Sequence, residues 1–244
     1  MKKKRTNLIS NTRRHKALGR LPDKSDIAWF RQTLQSWFKL GRRDFPWRSS
    51  SDPYLTCMAE IFLQQTNASK VSDVIRTFTS RFPDWNILAK ATETEIESAI
   101  FPLGLYRRRA KTIHSLANAV VKLGGLPHTR QGLEKLPGIG QYIANVLLVV
   151  LQDRRLPFLD TNMSRVLERF FGPREMADIR YDPYLQTLAR KIANVKDSLS
   201  ANWMVLDFAA IICTKRHPQC LGCPLSGRCG YARKVQVQSA INSL

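Results

Sequence analysis

The sequence predicts an all-α fold. Apolar residues recur at spacings of three and four along most of the 244-residue chain, which is the period of a helix with one buried face. No segment alternates between apolar and polar residues for more than a few positions, as a half-buried strand would. With 43% hydrophobic residues, the chain can bury a large core in one domain or in two closely joined ones.

Capping residues, prolines and glycines set the limits of the predicted helices. The first helix is capped by Ser25 or Asp26 and ends near Gly41. The second starts at Asp52, a capping residue, with Pro53 in the first helical position. Further helices are predicted, in chain order, over residues 71–82, 93–100, 107–123, 161–171, 183–195 and 201–212, with one more directly after a glycine hairpin at 136–140.

Basic residues dominate the charge of the chain. Lysine and arginine outnumber aspartate and glutamate by 39 to 19, which gives a formal net charge of +20. Such a surplus is typical of proteins that bind nucleic acid, although a protein that is basic for solubility or that binds an anionic membrane surface would share it. The longest apolar stretch, Val146 to Leu151, is far shorter than a membrane span. We therefore expect nucleic acid as the partner and no membrane.

The first 22 residues are mostly polar and basic, without an apolar period. They offer too little apolar surface to offset the entropy of ordering, so they predict a flexible arm that touches the DNA backbone without specificity. No apolar segment of a secretory signal follows the basic residues. The sequence accordingly predicts a cytoplasmic, nucleoid-associated protein.

Four of the five cysteines lie close together near the end of the chain. Cys213, Cys220, Cys223 and Cys229 follow the pattern C-x6-C-x2-C-x5-C, whereas Cys57 stands alone in an apolar helix as a buried small residue. A disulfide framework does not suit a chain without a secretory signal. Four clustered thiolates suit a soft metal, and their spacing alone leaves both zinc and an iron–sulfur cluster open.

The glycine hairpin, Leu136-Pro137-Gly138-Ile139-Gly140, directly precedes an apolar helix. Glycine at both turn positions is expected to permit positive φ and the close approach of backbone amides to an anion. The positive end of the following helix points the same way. The stretch therefore predicts a seat for a DNA phosphate, although such a hairpin by itself also fits an ordinary loop.

Together these stretches resemble the helix-hairpin-helix DNA glycosylases of the endonuclease III and MutY group. The stretch from Leu206 to Cys213 looks closer to archaeal-type (Mig-type) thymine mismatch glycosylases than to MutY. The resemblance is carried by FPWR at Phe45–Arg48, AEIFLQQT at Ala59–Thr66, LPGIGQYIAN at Leu136–Asn145, LDTN at Leu159–Asn162 and the spacing of the four cysteines.

The resemblance implies two helical domains and a cofactor. Residues 51–151 would form a helical-barrel domain with the helix-hairpin-helix motif. Residues 23–50 and 152–244 would form a smaller domain in which the four cysteines hold a [4Fe-4S] cluster rather than zinc. A monomer would bind double-stranded DNA, containing a mismatched or damaged base, in the cleft between the domains.

The resemblance also assigns catalytic residues. Asp160 matches the catalytic aspartate, which stabilises the oxocarbenium-like sugar and positions water; capping the helix from Thr161 would be compatible with that role. Glu60 matches the base-pocket acid of MutY, and an isolated carboxyl on an apolar helix is expected to have a raised pKa, although a structural acid would also fit. Tyr142 replaces the Schiff-base lysine of bifunctional members, which implies a monofunctional enzyme.

Other matching residues are expected to contact DNA. Gln64 and Gln65 match the glutamine pair of MutY that enters the duplex, and Leu105 lies where the family places a second wedge. Gly138, Gly140 and Gln141 would hold a phosphate. The three arginines at 107–109 fit either contacts to the DNA backbone or a solvated helix face.

The expected reaction is removal of thymine or uracil opposite guanine. The glutamine pair favours a MutY-like adenine glycosylase instead, but Leu105 replaces the wedge tyrosine of MutY, and the chain ends soon after the cysteines. Adenine opposite 8-oxoguanine or guanine is therefore the alternative substrate. A catalytically silent DNA-binding module is a third possibility, against which the presence of both Asp160 and Glu60 argues.

Overall fold

The computed structural model describes residues 21 to 235 of the chain. Every regular element in this range is helical and no strand occurs in it, so the predicted all-α fold is confirmed. The predicted basic arm lies outside the described residues except for Leu21 and Pro22. Between residues 21 and 235, no helix is both long enough and apolar enough to cross a membrane.

The helices are numbered in chain order. Their limits are α1 (Lys24–Gly41), α2 (Pro53–Leu63), α3 (Ala68–Arg81), α4 (Trp85–Lys90), α5 (Glu93–Ile100), α6 (Tyr106–Lys122), α7 (Arg130–Glu134), α8 (Gln141–Gln152), α9 (Thr161–Phe171), α10 (Pro183–Ala193) and α11 (Ser198–Ile211). Short 3-10 turns at Pro46–Arg48 and Phe101–Leu103 precede α2 and α6.

Most predicted helix limits lie within a few residues of the observed ones. Asp52 caps α2 as predicted, because its side chain accepts a hydrogen bond from the Tyr54 amide at 2.9 Å. The predicted cap of α1 is wrong. Ser25 and Asp26 lie inside the helix, and the carbonyl of Asp23 accepts from the Asp26 amide at 3.1 Å.

Two short helices, α4 and α7, were not predicted. Each is too short to show a helical period in its apolar residues. The available signal was the capping residue before each of them. Asp84 accepts from the Ile87 amide at 2.8 Å, and Thr129 accepts from the Gly132 amide at 3.1 Å.

Backbone contacts divide the chain into two compact units. One, called here the hairpin unit, contains Arg42–Phe158 and Ala193–Ser200. The other, called the cysteine unit, contains Leu159–Ile192 with the described parts of Met1–Gly41 and Ala201–Leu244. Each unit has its own hydrophobic core.

The observed units differ from the predicted domains in three segments. Residues 42–50, 152–158 and 193–200 belong to the hairpin unit, although the sequence placed them with the cysteines. Packing explains the first two segments. Trp47 is buried in the core of the hairpin unit, and the buried side-chain amide of Asn145 donates to the carbonyl of Pro157 at 2.9 Å.

The core of the hairpin unit is built around α2 and α6. α2 packs against α3 and α8, and α6 packs against α4 and α5. On α2, Cys57 and Phe62 are completely buried, so the predicted burial of Cys57 is confirmed. Phe62 meets Phe78 of α3 edge to face, with 5.0 Å between the ring centres. This packing fixes the second half of α2, which carries Glu60 and leads into Gln64.

The core of the cysteine unit joins α1 to α9 and α11. Phe30 of α1 is completely buried, and its ring centre lies 5.0 Å from that of Phe170 on α9. Trp37 of α1 meets Phe208 of α11 edge to face at 5.2 Å. These contacts anchor α9, which Asp160 directly precedes, and the end of α11, which Cys213 follows.

Candidate active site and DNA-binding elements

The glycine hairpin connects α7 to α8, which forms a helix-hairpin-helix motif. The amide of Ile139 closes the turn by donating to the carbonyl of Leu136 at 3.2 Å. Gly138 has a φ of +78°, so the predicted positive φ is confirmed at this position. Gly140 has a φ of −98° and an extended backbone, so the same prediction is wrong for Gly140. Lacking a side chain, Gly140 cannot cap α8 and leaves room for a ligand at its positive end.

Replacing Gly138 with alanine is expected to destabilise the hairpin. A β-carbon there would lie 2.7 Å from Cγ2 of Thr112, and the left-handed conformation itself costs an L-residue about 1–2 kcal/mol. Gly140→Ala is the matched control, because its β-carbon would meet nothing within 4 Å. Urea unfolding should show a loss of about 1–2 kcal/mol or more for Gly138→Ala and a clearly smaller loss for Gly140→Ala. Equal losses would contradict the assigned hairpin geometry.

Two loops of the hairpin unit carry the predicted wedge residues. Gln64 and Gln65 follow α2, Leu105 precedes α6, and all three are exposed. Gln65 and Leu105 have φ values of +57° and +50°, which are uncommon for residues with a side chain. The structure also brings Gln64 to the hairpin, because its Nε2 donates to the carbonyl of Gly138 at 3.4 Å.

Arg109 departs from the interpretation of the three arginines. Arg107 and Arg108 are exposed, as a solvated face or DNA contacts require, but Arg109 is only 7% exposed. Its guanidinium donates to backbone carbonyls of the hairpin unit, among them that of Gln64 at 2.7 Å. Arg109 therefore neither faces solvent nor is free to contact the DNA backbone, and both interpretations are wrong for this residue.

Glu60 and Tyr142 are both in the hairpin unit. Glu60, on α2, is 7% exposed and lies in the apolar stretch that the sequence indicated. Burial raises the pKa of the nearby Cys57 thiol, and the negative charge of Glu60 raises that pKa further. Tyr142, in the first turn of α8 after Gln141, is half-buried, with its ring centre 6.1 Å from that of Phe158. Both side chains are thus held by the core rather than by mobile loops.

Asp160 caps α9 in the cysteine unit. Its Oδ1 accepts from the amides of Asn162 and Met163 at 2.9 and 2.7 Å, and its Oδ2 accepts from Nδ2 of Asn162 at 2.6 Å. Burial raises the pKa of Asp160, against the effect of these hydrogen bonds and of the positive charge of Arg165. The helix cap thus holds the carboxylate in one orientation, and the capping and catalytic interpretations are compatible.

Asn162 and Arg165 connect Asp160 to the first cysteine. Nη1 of Arg165 donates to Oδ1 of Asn162 at 3.1 Å, and Nε of Arg165 donates to the carbonyl of Cys213 at 2.9 Å. The candidate catalytic carboxylate and the cysteine segment are therefore one hydrogen-bonded network. Sequence patterns do not single out Arg165; the available signal is its spacing of three residues from Asn162 on a predicted helix.

The four clustered cysteines line one cavity of the cysteine unit, together with Arg169 and Tyr231. All four are free thiols. Across residues 21–235, no three Cys, His, Asp or Glu side chains form a group already placed to hold a metal ion. By its chemistry, a set of four thiols around a shared cavity fits a soft metal ion or an iron–sulfur cluster.

Burial raises the pKa of three of these thiols, Cys220, Cys223 and Cys229, which disfavours their thiolates unless a cation is bound. Burial raises the pKa of Cys223 to about 11, and the neighbouring Cys229 adds to the rise. Four thiolates around one cavity would repel each other, and a bound cation removes that repulsion while the thiols lose their protons. Arg169 supplies part of the balancing charge, because its Nη1 lies 3.4 Å from Sγ of Cys213.

Comparison with known proteins identifies the family. Residues 58–192, more than half of the chain, match the HhH-GPD superfamily base excision DNA repair protein family. The chain belongs to the HhH-GPD superfamily. The matched range contains the helix-hairpin-helix motif, Glu60 and Asp160.

This chain covers several similar proteins almost end to end. The thymine-DNA glycosylase of Aeropyrum pernix is 36% identical over 215 residues, which are 86% of this chain and 96% of the relative. The thymine/uracil-DNA glycosylase of Pyrobaculum aerophilum is 34% identical over 221 residues, which are 88% and 96% of the two chains. The solved structure of a thermostable thymine-DNA glycosylase has a TM-score of 0.81 and 30% identity, covering 86% of this chain and 98% of its own.

Adenine-specific HhH-GPD relatives match less completely. The adenine DNA glycosylase of Mus musculus is 29% identical over 231 residues. The match includes 88% of this chain but only 44% of that relative. The higher identities thus agree with the resemblance to thymine mismatch glycosylases.

Proposed function

We propose that this protein is a monofunctional DNA glycosylase that removes thymine or uracil opposite guanine. The observation that carries the proposal is the Asp160 carboxylate, held by two amides and by Asn162 in a chain that matches thymine and thymine/uracil glycosylases over their length. The net charge of +20 supports DNA as the partner. The protein is expected to act as a monomer.

In the proposed reaction, the target nucleotide first leaves the duplex. A G·T or G·U wobble pair is already weakened, which lowers the cost of extrusion. The base then departs with the electrons of its N-glycosidic bond, and the sugar gains oxocarbenium character. The Asp160 carboxylate stabilises that positive charge and orients a water molecule. Water adds to C1′, its proton passes to the carboxylate, and the base anion takes up a proton, which leaves an abasic site.

Glu60 and Tyr142 are proposed to act on the nucleoside. Glu60, buried on α2, orients the flipped base or the attacking water. Tyr142 lines the nucleoside pocket. Its phenol cannot form the imine that a lysine forms in bifunctional relatives, so the reaction ends at the abasic site.

Six residues are proposed to contact the DNA. Backbone amides of the hairpin and the positive end of α8 seat a phosphate. The glutamine pair contacts the base opposite the target, and a leucine fills the gap that extrusion leaves in the stack. These residues are Gly138, Gly140, Gln141, Gln64, Gln65 and Leu105.

The four clustered cysteines are proposed to hold a [4Fe-4S] cluster. Their shared cavity supports a bound metal group, and the family resemblance favours the cluster over zinc. When bound, the cluster would cross-link the cysteine segment and could exchange an electron. Arg169 and Arg165 bind this segment to α9 through the Thr214 carbonyl at 2.7 Å and the Cys213 carbonyl at 2.9 Å.

A strand-cleavage assay tests the activity and its monofunctional character. With a U·G duplex, we expect no strand break until alkali or heat is applied, and borohydride should trap no enzyme–DNA adduct. Tyr142→Lys is the informative comparison, because it places an amine where the wild type has a phenol. Efficient trapping by the wild-type protein would contradict the monofunctional assignment. Failure to produce alkali-labile sites in any mismatch would favour a silent DNA-binding module.

A MutY-like adenine glycosylase is the second candidate function. A buried acid such as Glu60 suits protonation of a departing purine more simply than release of a pyrimidine anion. The adjacent Gln64 and Gln65 also match the MutY pair. Adenine opposite 8-oxoguanine or guanine is therefore the substrate against which thymine and uracil must be compared.

A further inference from the structure

The guanidinium of Arg109 joins the two loops that carry the proposed wedges. Nη2 donates to the carbonyl of Gln64 at 2.7 Å and to Oγ1 of Thr66 at 3.2 Å. Nη1 donates to the carbonyls of Gly104 and Leu103 at 3.0 and 3.4 Å. One buried side chain thus hydrogen-bonds both loops at once. Oγ1 of Thr66 adds a direct link, since it lies 3.2 Å from the carbonyl of Leu103.

Two of the bonded carbonyls directly precede residues with left-handed backbone. Gln64 precedes Gln65, which has a φ of +57°, and Gly104 precedes Leu105, which has a φ of +50°. Each such conformation costs a residue with a side chain about 1–2 kcal/mol, and it persists only where surrounding contacts impose it. The Arg109 contacts lie where such a constraint would act.

Arginine suits this position better than another cation. Burial lowers the pKa of Arg109, so placing a charge here costs free energy that hydrogen bonds must offset. The planar fork of arginine donates in several fixed directions, whereas the lysine ammonium is a single point charge on a flexible stem. At 7% exposure, Arg109 is also poorly placed to bind a DNA phosphate, unlike the exposed Arg107 and Arg108.

We propose that Arg109 is a positioning residue that holds Gln65 and Leu105 at a set separation before DNA binds. Two wedges that are already ordered lose less conformational freedom on entering the duplex, which lowers the free energy needed to extrude the target base. The inference rests on the proposed glycosylase function for its consequence, but the hydrogen-bonded link between the loops can be tested without any substrate.

Hydrogen exchange of the DNA-free protein tests the link itself. The amides of Thr66 and Gly104 donate to the carbonyls of Leu63 and Phe101, both at 3.3 Å. Arg109→Met should make these two amides exchange about tenfold faster or more, because the loops lose their common anchor. Arg108→Met, which removes a charge from the neighbouring exposed position, should leave both rates unchanged. Unchanged exchange in Arg109→Met would overturn the proposal.

Single-turnover excision tests the consequence for extrusion. Uracil is placed opposite guanine in one duplex and opposite a tetrahydrofuran abasic analogue, where no pair has to be broken, in the other. Arg109→Met should lower the U·G rate by about tenfold or more and the unpaired rate much less. Arg109→Lys, which keeps the charge but not the fork, should show the same selective loss and serves if Arg109→Met folds poorly. Arg108→Met should keep the wild-type ratio of the two rates.

Each outcome has one meaning. Equal loss on both duplexes would show general structural damage and would overturn the positioning role. A wild-type protein that excises uracil from neither duplex would refute the proposed function instead, and hydrogen exchange would then decide whether Arg109 orders the two loops.

Discussion

Asp160→Asn is expected to lower the rate of base release about a hundredfold to a thousandfold. This is the effect of removing one preorganised electrostatic stabiliser, about 2.7 to 4 kcal/mol, from a transition state with developing charge. Asparagine keeps an oxygen that can accept from the amides of Asn162 and Met163, so α9 keeps its cap. Affinity for mismatched DNA should largely survive, because phosphate contacts supply most of it. Single-turnover kinetics and DNA binding should be measured on the same preparation.

Stability and pH dependence separate this loss from unfolding. Because folding raises the pKa of Asp160, its ionised form destabilises the folded state near neutral pH, and the neutral amide removes that cost. Asp160→Asn should therefore lose no more stability than the hydrogen bond from Nδ2 of Asn162 contributes, because an amide nitrogen in place of Oδ2 cannot accept it. On acidification, the wild-type rate should fall at a higher pH than an exposed aspartate would give. Asp84→Asn, the same change at the cap of α4, is the control and should keep the wild-type rate. A rate for Asp160→Asn above a tenth of the wild-type rate would contradict the catalytic assignment.

Under the proposed [4Fe-4S] assignment the wild-type protein is brown, and Cys213→Ala is expected to abolish both this colour and most of the folded yield. Four-thiolate iron–sulfur ligation gives broad visible absorption. Structural metal sites can contribute apparent free energies of about 10–16 kcal/mol, as much as the whole stability of a typical domain. Cys213 also lies beside Arg165 and Arg169, so its segment carries the contacts that hold α9. Visible absorption, iron and sulfide content and soluble yield give the measurement.

Cys57→Ala is the matched control for the cysteine prediction. Cys57 is completely buried in the hairpin unit, so its loss should lower stability by an ordinary core effect while colour and iron content remain. Colourless wild-type protein with one zinc per chain would refute the [4Fe-4S] proposal and restore the alternative that the cysteine spacing leaves open. Equal loss of iron in both variants would point to general instability.

Features determined by adjacent residues could be predicted from the sequence. The Asp52 cap of α2, the positive φ of Gly138 and the burial of Cys57 each follow from local chemistry or helical period, and the structure contains all three. α4 and α7 are too short to show a helical period in their apolar residues, so only their capping residues indicated these helices. Gly140 looked like Gly138 in sequence, but its backbone is extended, because the start of α8 rather than the turn determines its conformation.

Long-range contacts are what the sequence pattern did not reveal. Arg109 lies in a run of three arginines, a pattern that predicts an exposed face. Its burial depends on carbonyls of the loop at Gln64, which is distant from it in sequence. Arg165 likewise connects Asn162 with the carbonyl of Cys213 across the cysteine unit. Such partners are unknowable from a helical period, which reports only which face of a helix is apolar.

Single-turnover base release from four duplexes tests the central claim most directly. The duplexes contain U·G, T·G, A·8-oxoguanine and normal T·A, and Glu60→Gln is measured beside the wild type. We expect U·G and T·G to be cut faster than A·8-oxoguanine, T·A to remain uncut, and Glu60→Gln to lose only part of the T·G activity. Faster release of adenine from A·8-oxoguanine than of thymine from T·G, abolished by Glu60→Gln, would contradict the proposed function and establish the adenine glycosylase in its place.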